Sequence, residues 1–337
     1  MKRLSLYFVA PRKISICEDQ IPELSNRQVL VQSIVSLISH GTEMLVYRNQ
    51  FPKDIPIDST ITYLHNNFRY PLKYGYSIVG KIISCGDEIS HEWENRVVFA
   101  FHPHESHFIA SLDDLIVVPS EISIEEASFL PNVETAVNLV MDGRPIIGER
   151  IVVFGQGIIG LLTTAILADF PLSCLLTLDK YPIRRKKSIE VGANYSLDPL
   201  DLTEDVLRKI GFTDTKSDLT YELSGNPEAL ETALKITGYA GRLVVGSWYG
   251  RKTSHLNLGG RFHRDRIRII SSQVSTVDPQ FLGRWNKSRR LEVVWEMVKR
   301  IRPSNFITQR FSISQAEKAY SLIDENPEKT IQVLFTY

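Results

Sequence analysis

Gly155-Gln156-Gly157-Ile158-Ile159-Gly160 follows the apolar run RIVVF and opens the apolar stretch IIGLLTTAILADF. A strand that turns through three spaced glycines into a helix is suited to holding phosphate. Gly155 permits the tight turn, Gly157 lets the backbone approach a pyrophosphate, and Gly160 lets the helix lie close to the sheet. The helix start adds unpaired N–H groups and the positive end of its dipole. The next strand, CLLTLD, ends in Asp179. This is the place of the acidic residue that hydrogen-bonds ribose hydroxyls roughly 20 residues beyond such a turn. A dinucleotide is the expected ligand. A 2′-phosphate would meet the like charge of Asp179, so NAD is expected in preference to NADP, although Lys180, Arg184 and Arg185 just beyond can tolerate a phosphate. Ser224, Gly246 and Ser247 fall at carboxyl ends of later strands, where a ligand is expected. Ser271, Ser272 and Gln273 end a further strand and are expected to line the nicotinamide pocket.

These residues need a parallel sheet to hold them. From residue 150 strands and helices alternate: RIVVF, the glycine turn and its helix, CLLTLD, the charged helix PIRRKKSIEVG, DLTYELS, NPEALETALKITG, GRLVVGS and RIRIISSQ. That order predicts an α/β, doubly wound sheet with helices on both faces. Residues 1–120 are different, with short β-branched or aromatic runs such as Gln28–Ile38, Tyr76–Ser84, Arg96–Phe101 and His107–Ala110, separated by turn residues. Over 122–141, ISIEEASFLPNVETAVNLVM carries apolar residues at helical spacing. After about 285 a basic amphipathic helix, RRLEVVWEMVKRI, leads to a strand, the helix SQAEKAYSLID and the strand TIQVLFTY.

Composition narrows the class of function. The chain has 337 residues, enough for about two domains, and Lys plus Arg balance Asp plus Glu at 39 each. With no net charge, neither nucleic acid nor an anionic membrane is an expected partner. Three dispersed cysteines, Cys17, Cys85 and Cys174, argue against a disulfide framework or a cysteine-rich zinc lobe. The start MKRLSLYFVAPRKISI reads as a strand and not a signal peptide. No run reaches the ~18 apolar residues of a membrane span. The expected location is the cytoplasm.

His40-Gly41-Thr42-Glu43, GYSIVG at 75–80, Glu134-Thr135-Ala136, GQGIIG with Asp179, and ELSG at 222–225 together resemble the medium-chain dehydrogenase/reductase superfamily. The resemblance covers nearly the whole chain. Within it, SHGTEMLVYRNQFP and LPNVETAVNLV look most like the branch containing bacteriochlorophyllide a dehydrogenase. The resemblance implies a GroES-like β-rich catalytic domain over 1–125 and 285–337, and a Rossmann domain over 126–284. It further implies a homodimer or homotetramer and a small-molecule substrate. Zinc-type members place a cysteine at the position of His40, a histidine at Tyr76, and a cysteine or glutamate at Pro131. A catalytic zinc needs about three Cys, His, Asp or Glu ligands. Only His40 has such a donor, so no zinc is expected. His102, His104 and His107 form a separate cluster. Alternation puts His102 and His104 on one strand face if Pro103 allows pairing, and a polar strand end or pocket rim is the expected role rather than a metal site.

Hydride transfer without zinc still needs a proton donor and a group that stabilises an alkoxide. The resemblance matches Thr42 to the hydroxyl that relays the proton in zinc members. Tyr76 stands where a metal ligand would be. Its phenol can donate to a carbonyl oxygen, and its acidity would rise beside a cation such as Lys73. His40 titrates near neutrality and can pass the proton outward. Glu43 is expected to hold the loop, and Thr135 to lie beside the nicotinamide. In GGRFHRDRIRI, Arg261, His263 and Arg264 suit an anionic substrate group, with a solvated loop or subunit contact as the plainer alternative. RWNKSRR at 284–290 reads as the solvated start of a helix. The expected activity is an NAD(H)-dependent, zinc-independent dehydrogenase of a secondary alcohol, with a cyclic or anionic substrate. An NADPH-dependent quinone or enoyl reductase and a non-catalytic dinucleotide-binding regulator are the alternatives.

Overall fold

The computed structural model describes residues 2–52, 54–56, 63, 68–212 and 216–337. The N-terminal part runs β1 (Lys2–Ala10), β2 (Lys13–Gln20), β3 (Gln28–Leu37), the short helix α1 (Thr42–Tyr47), β4 (Leu72–Lys73), β5 (Ile78–Cys85), β6 (Val97–Ala100), β7 (His107–Ser111) and β8 (Leu115–Val117). Helices α2 (Ile124–Ala127) and α3 (Leu130–Gly143) follow. Alternation then begins: β9 (Arg150–Phe154), α4 (Ile158–Leu167), β10 (Cys174–Leu178), α5 (Pro182–Glu190), β11 (Tyr195–Leu197), α6 (Glu204–Lys209), β12 (Ser217–Glu222), α7 (Pro227–Ile236), β13 (Thr237–Val245) and β14 (Arg268–Ser271). The chain closes with α8 (Lys287–Ile301), β15 (Ile307–Ser312), α9 (Ala316–Glu325) and β16 (Gln332–Thr336).

The chain divides into two compact units, 1–131 with 302–337, and 132–301. The second unit holds a six-stranded sheet in the order β11-β10-β9-β12-β13-β14, with every pairing parallel. β10 is buried along its whole length and β9 along all but its first residue, as continuous apolar runs require when helices cover both faces. Pro182 at the start of α5 and Asn226-Pro227 at the start of α7 fix where those helices begin; the Asn226 side chain accepts the Glu228 N–H at 3.2 Å.

The first unit holds a seven-stranded sheet, β15-β16-β3-β5-β6-β8 with β7 also on β3, and a three-stranded sheet, β2-β1-β4. Leu6 and Phe8 of β1 pack with Met44 and Val46 of α1, Tyr320 of α9 and Phe335 of β16. This core pins α1, and with it the turn of residues 39–42, to the body of the unit.

Three expectations are corrected here. The helical stretch over 122–141 is broken into α2 and α3. The Ser128 hydroxyl bonds back to the Glu125 carbonyl at 2.6 Å, the Ser77 hydroxyl takes the Ser128 carbonyl, and Pro131 has no N–H to continue the ladder. The second unit runs to Ile301, not 284, so α8 belongs to it. The reason is Arg290, expected as part of a solvated helix start but wholly buried. Its guanidinium reaches Glu134 at 2.7 Å and Asn138 at 2.6 Å on α3, and the carbonyls of Val274 and Thr276.

Candidate active site

In the second unit the glycine turn is arranged as its spacing demands. Gly155 has φ +84°, and a Cβ there would sit 2.5 Å from the Ser224 Cα. A Cβ on Gly160 would fall 1.9 Å from the Gly155 carbonyl oxygen, so only glycine lets α4 start this close to the turn. Gly157 differs. A Cβ there meets nothing nearer than Arg184 Nη1 at 4.0 Å. The fold does not demand a glycine at 157, which leaves an open cradle at the start of α4. Ile158 and Ile159 form the first turn of α4, Ile158 buried. Gln156 is buried and knits the turn together, donating to the Gly155 carbonyl at 3.1 Å and accepting from Thr164 at 3.0 Å.

Asp179 is buried just past β10. One carboxylate oxygen accepts the Gln156 N–H at 2.7 Å and the other the Tyr181 N–H at 2.8 Å. Arg184 lies 3.9 Å from the same carboxylate and 4.7 Å over the Tyr181 ring. Burial lowers its pKa against the pull of Asp179 and Tyr181. Lys180 Nζ lies 4.8 Å from the centroid of the Tyr181 ring, and Arg185 donates to the Asp179 carbonyl at 2.8 Å. The Asp179 carboxylate and the Arg184 guanidinium therefore meet beside the open cradle, while Arg185 is also held by Asp198 at 3.0 Å.

The remaining residues of this unit serve the scaffold more directly than expected. The Ser224 hydroxyl donates to Glu222, and its oxygen accepts the Asn226 N–H at 3.1 Å. The Ser247 hydroxyl accepts the Gly225 N–H at 2.9 Å. Gly246 packs against side chains: a Cβ would lie 2.5 Å from Leu139 Cδ2 and 2.6 Å from Leu223 Cδ2, so those leucine ends would have to shift. Ser272 donates to Asp142 at 2.6 Å and accepts from Asn138 at 3.1 Å, which fastens the end of β14 to α3. Thr135 is half-buried on α3, next to Glu134, which holds Arg290. Arg261 is paired with Asp265 at 2.7 Å. Sequence reasoning missed this buried Arg290–Glu134–Asn138 cluster, whose partners lie far apart in the chain.

In the first unit, Gly75 has φ +123° and faces the His104 ring; a Cβ there would lie 2.7 Å from it. Tyr76 and Ser77 precede β5 instead of opening it. The half-buried Tyr76 phenol donates to Ser39 Oγ at 2.6 Å, and the Ser77 hydroxyl is spent on the Ser128 carbonyl. Ser39 Oγ also accepts the Thr42 N–H at 3.3 Å. His40 and Thr42 sit half-buried on the turn that leads into α1. Lys73, named as an example of a cation that would make Tyr76 more acidic, gives its ammonium to Asp19 at 2.9 Å and to Glu105. Those carboxylates raise its pKa against the effect of burial.

Beneath the turn lies a buried network. Glu43 takes the Ser39 N–H at 2.7 Å, His104 Nε2–H at 3.0 Å and the Tyr320 hydroxyl. With that proton on Nε2, His104 Nδ1 accepts from Ser36 at 2.7 Å, and Ser36 Oγ accepts from Tyr337 at 2.8 Å. Burial, with Glu43 adding to it, pushes the Tyr320 phenol far up. His102 and His104 lie in the loop before β7 and not on a strand, because each is turned into the interior: His104 to Glu43, His102 between Tyr63 and Phe108. His107 opens β7 with Nδ1 3.1 Å from Ser106 Oγ. Among the described residues no group of three or more His, Cys, Asp or Glu side chains is placed to hold a metal ion, and no helix is long and apolar enough to cross a membrane.

No protein-family profile matches the chain. D-guloside 3-dehydrogenase of Escherichia coli K12 is 23% identical over 353 aligned residues, covering 98% of this chain and 99% of its own. (R,R)-butanediol dehydrogenase of Bacillus subtilis is 26% identical over 224 residues, 58% of this chain and 64% of its own. Among solved structures, the 2R,3R-butanediol dehydrogenase of Bacillus subtilis superposes with a TM-score of 0.80 at 18% identity over 99% of both chains. An Escherichia coli CFT073 alcohol dehydrogenase in complex with NADH gives 0.79 at 18%, over 100% of this chain and 99% of that one. A Sinorhizobium meliloti dehydrogenase bound to NADP gives 0.78 at 16%, over 100% of both. The fold is that of these dehydrogenases, an α/β architecture with a GroES-like unit and a Rossmann unit. The chain is an enzyme, an oxidoreductase. The relatives are named as dehydrogenases or as alcohol dehydrogenase-like, and two of the superposed structures hold NADH or NADP.

Proposed function

We propose that the protein is an NAD(H)-dependent dehydrogenase that interconverts a secondary alcohol and its ketone without zinc. The observation that carries the reading is the buried Asp179 carboxylate, bonded to the Gln156 and Tyr181 N–H groups at the open cradle of Gly157. These residues fit a dinucleotide: the cradle leaves room for a pyrophosphate at the start of α4, and Asp179 suits a ribose diol and disfavours a 2′-phosphate. A nicotinamide dinucleotide held by the Gly155–Gly160 turn and Asp179 would supply the hydride chemistry. The chain's own part is to hold that cofactor, to supply a proton and to steady the substrate oxygen. Tyr76 is the candidate proton donor, with Thr42 and His40 on the turn beside Ser39.

A family-type zinc does not fit. Pro131 has no donor, the Tyr76 phenol is bonded to Ser39, and the Ser77 hydroxyl is bonded to the Ser128 carbonyl. A cyclic polyol or glycoside is the proposed substrate class, in keeping with a relative named D-guloside 3-dehydrogenase. The proposed assembly is a homodimer or homotetramer, readable by light scattering.

Calorimetry with NADH and NADPH, and turnover of a panel of glycosides and ring polyols with zinc assayed in the same sample, test the reading. Tighter NADH binding and turnover at substoichiometric zinc are expected. Strong preference for NADPH favours a quinone or enoyl reductase, and no binding of either sinks the proposal.

A further inference from the structure

We infer that Ser39 is the positioning residue of the acid–base site, holding the Tyr76 phenol and stabilising it when it gives up its proton. The inference rests on the reading of Tyr76 as the proton donor. Ser39 Oγ accepts the Tyr76 hydroxyl at 2.6 Å and the Thr42 N–H at 3.3 Å. A serine oxygen has two lone pairs and one hydrogen. Both lone pairs are engaged here, and the hydrogen is the remaining resource.

The backbone of Ser39 is clamped on both sides by one residue. Its N–H donates to Glu43 Oε1 at 2.7 Å, and its carbonyl accepts the Glu43 N–H at 3.2 Å. Glu43 is itself held by His104 and Tyr320, deep in the core. The Ser39 hydroxyl is therefore presented from a fixed base and not from a loose loop.

In ketone reduction the Tyr76 O–H bond breaks and its proton goes to the carbonyl oxygen, while the carbonyl carbon takes a hydride from a reduced nicotinamide. The phenolate left behind regains a proton from water. A phenol in water titrates near 10, so an environment that supports the phenolate brings it closer to working pH. Ser39 can provide that support by rotating its O–H from wherever it points toward the phenolate oxygen, so that the one contact reverses direction while the Thr42 N–H bond is kept.

The first arm of the test needs no substrate, and the second reads turnover of the glycoside and ring-polyol panel. Tyrosines carrying carbon-13 at the ring Cζ report phenol ionisation by NMR, and Tyr76→Phe identifies the Tyr76 signal. In Ser39→Ala the Tyr76 titration is expected to move up by about one pH unit, as loss of one good hydrogen bond to the charged form implies. Ser39→Thr is expected to restore it. Kd for NADH should stay within about twofold in both variants, and turnover in Ser39→Ala should fall about tenfold with most of the loss in kcat. An unshifted Tyr76 titration in Ser39→Ala overturns the inference, as does an equal loss of turnover from Ser39→Ala in the Tyr76→Phe background. The two readings fail separately. Full turnover in Tyr76→Phe removes the proton-donor role itself, whereas an inactive Tyr76→Phe with an indifferent Ser39→Ala removes only Ser39.

Discussion

His104 donates to Glu43 across 3.0 Å with neither side chain exposed to solvent. Glu43 also accepts from the Ser39 backbone and from Tyr320, so three donors from three parts of the chain converge on one carboxyl group. An acceptor that serves so many donors holds the turn of residues 39–42 where the core puts it. The turn that carries Thr42 and presents Ser39 to Tyr76 is thus fixed from one layer beneath it.

Removing that acceptor is expected to be costly. Glu43→Ala leaves the Ser39 N–H, His104 Nε2–H and Tyr320 O–H without a partner in the interior. Unsatisfied buried groups cost about 1–3 kcal/mol each, so a loss of at least about 3 kcal/mol is expected in urea denaturation. Tyr320→Phe removes one donor and leaves the acceptor, and should cost about 1 kcal/mol. A Glu43→Ala protein within about 1 kcal/mol of the parent would show that the network is slack.

The two glycines at 157 and 160 are expected to separate folding from binding. Gly160→Ala places a methyl group 1.9 Å from the Gly155 carbonyl oxygen and should destabilise the unit. Gly157→Ala meets only Arg184 Nη1 at 4.0 Å, so its melting temperature should stay near the parent's. Its affinity for NADH should nonetheless fall at least tenfold, since the methyl group fills the cradle. Unchanged NADH affinity in a well-folded Gly157→Ala would mean that phosphate does not sit at this turn.

The glycine turn and the parallel sheet were legible because their signals are local. Strand, glycines, helix and Asp179 lie within one stretch of chain, and the turn's geometry follows from that spacing. The layer beneath Tyr76 was not legible. His104 reaches Glu43, Tyr320 reaches the same carboxyl from α9, and Tyr337 reaches Ser36 from the end of the chain. No periodicity marks such pairs. Arg290 misled for a related reason. Its basic neighbours suggest water, and only Glu134 and Asn138 on α3 explain its burial. Ser39 was passed over because a serine beside a histidine carries no spacing signal until the Tyr76 phenol is placed against it.

His102 supplies a pH dependence. It lies between Tyr63 and Phe108, with ring centroids at 4.3 and 4.2 Å, and donates from Nδ1 to the Pro103 carbonyl at 3.1 Å. Burial brings its pKa from 6.5 to about 4, outweighing the opposite pull of Glu105, while Arg3 and Lys73 push in the same direction as burial. The unfolded chain then binds the proton more readily than the folded one. Stability is complete above about pH 6.5 and is lost as pH falls toward 4, by about 3 kcal/mol at one pKa unit per 1.36 kcal/mol. His102→Phe, which keeps an aromatic ring in the same slot, should flatten the curve in that window. Urea midpoints taken across it would show no flattening if His102 were already charged in the folded state.

Asp179 is expected to set the choice between the two cofactors. Its carboxylate is anchored by the Gln156 and Tyr181 N–H groups, and Arg184 stands 3.9 Å away. In Asp179→Asn the amide oxygen can still accept one of those N–H bonds while the other is left facing the NH2 group, so a stability loss of about 1–3 kcal/mol is expected. The negative charge is gone, however, while Lys180, Arg184 and Arg185 remain. A 2′-phosphate then no longer meets the Asp179 carboxylate, and Arg184 loses its anionic neighbour. The ratio of NADPH to NADH affinity should rise at least tenfold by calorimetry, with most of the change in NADPH. Should Asp179→Asn weaken both cofactors equally, the carboxylate acts only as a brace for the turn, and cofactor choice must lie with the cations on α5.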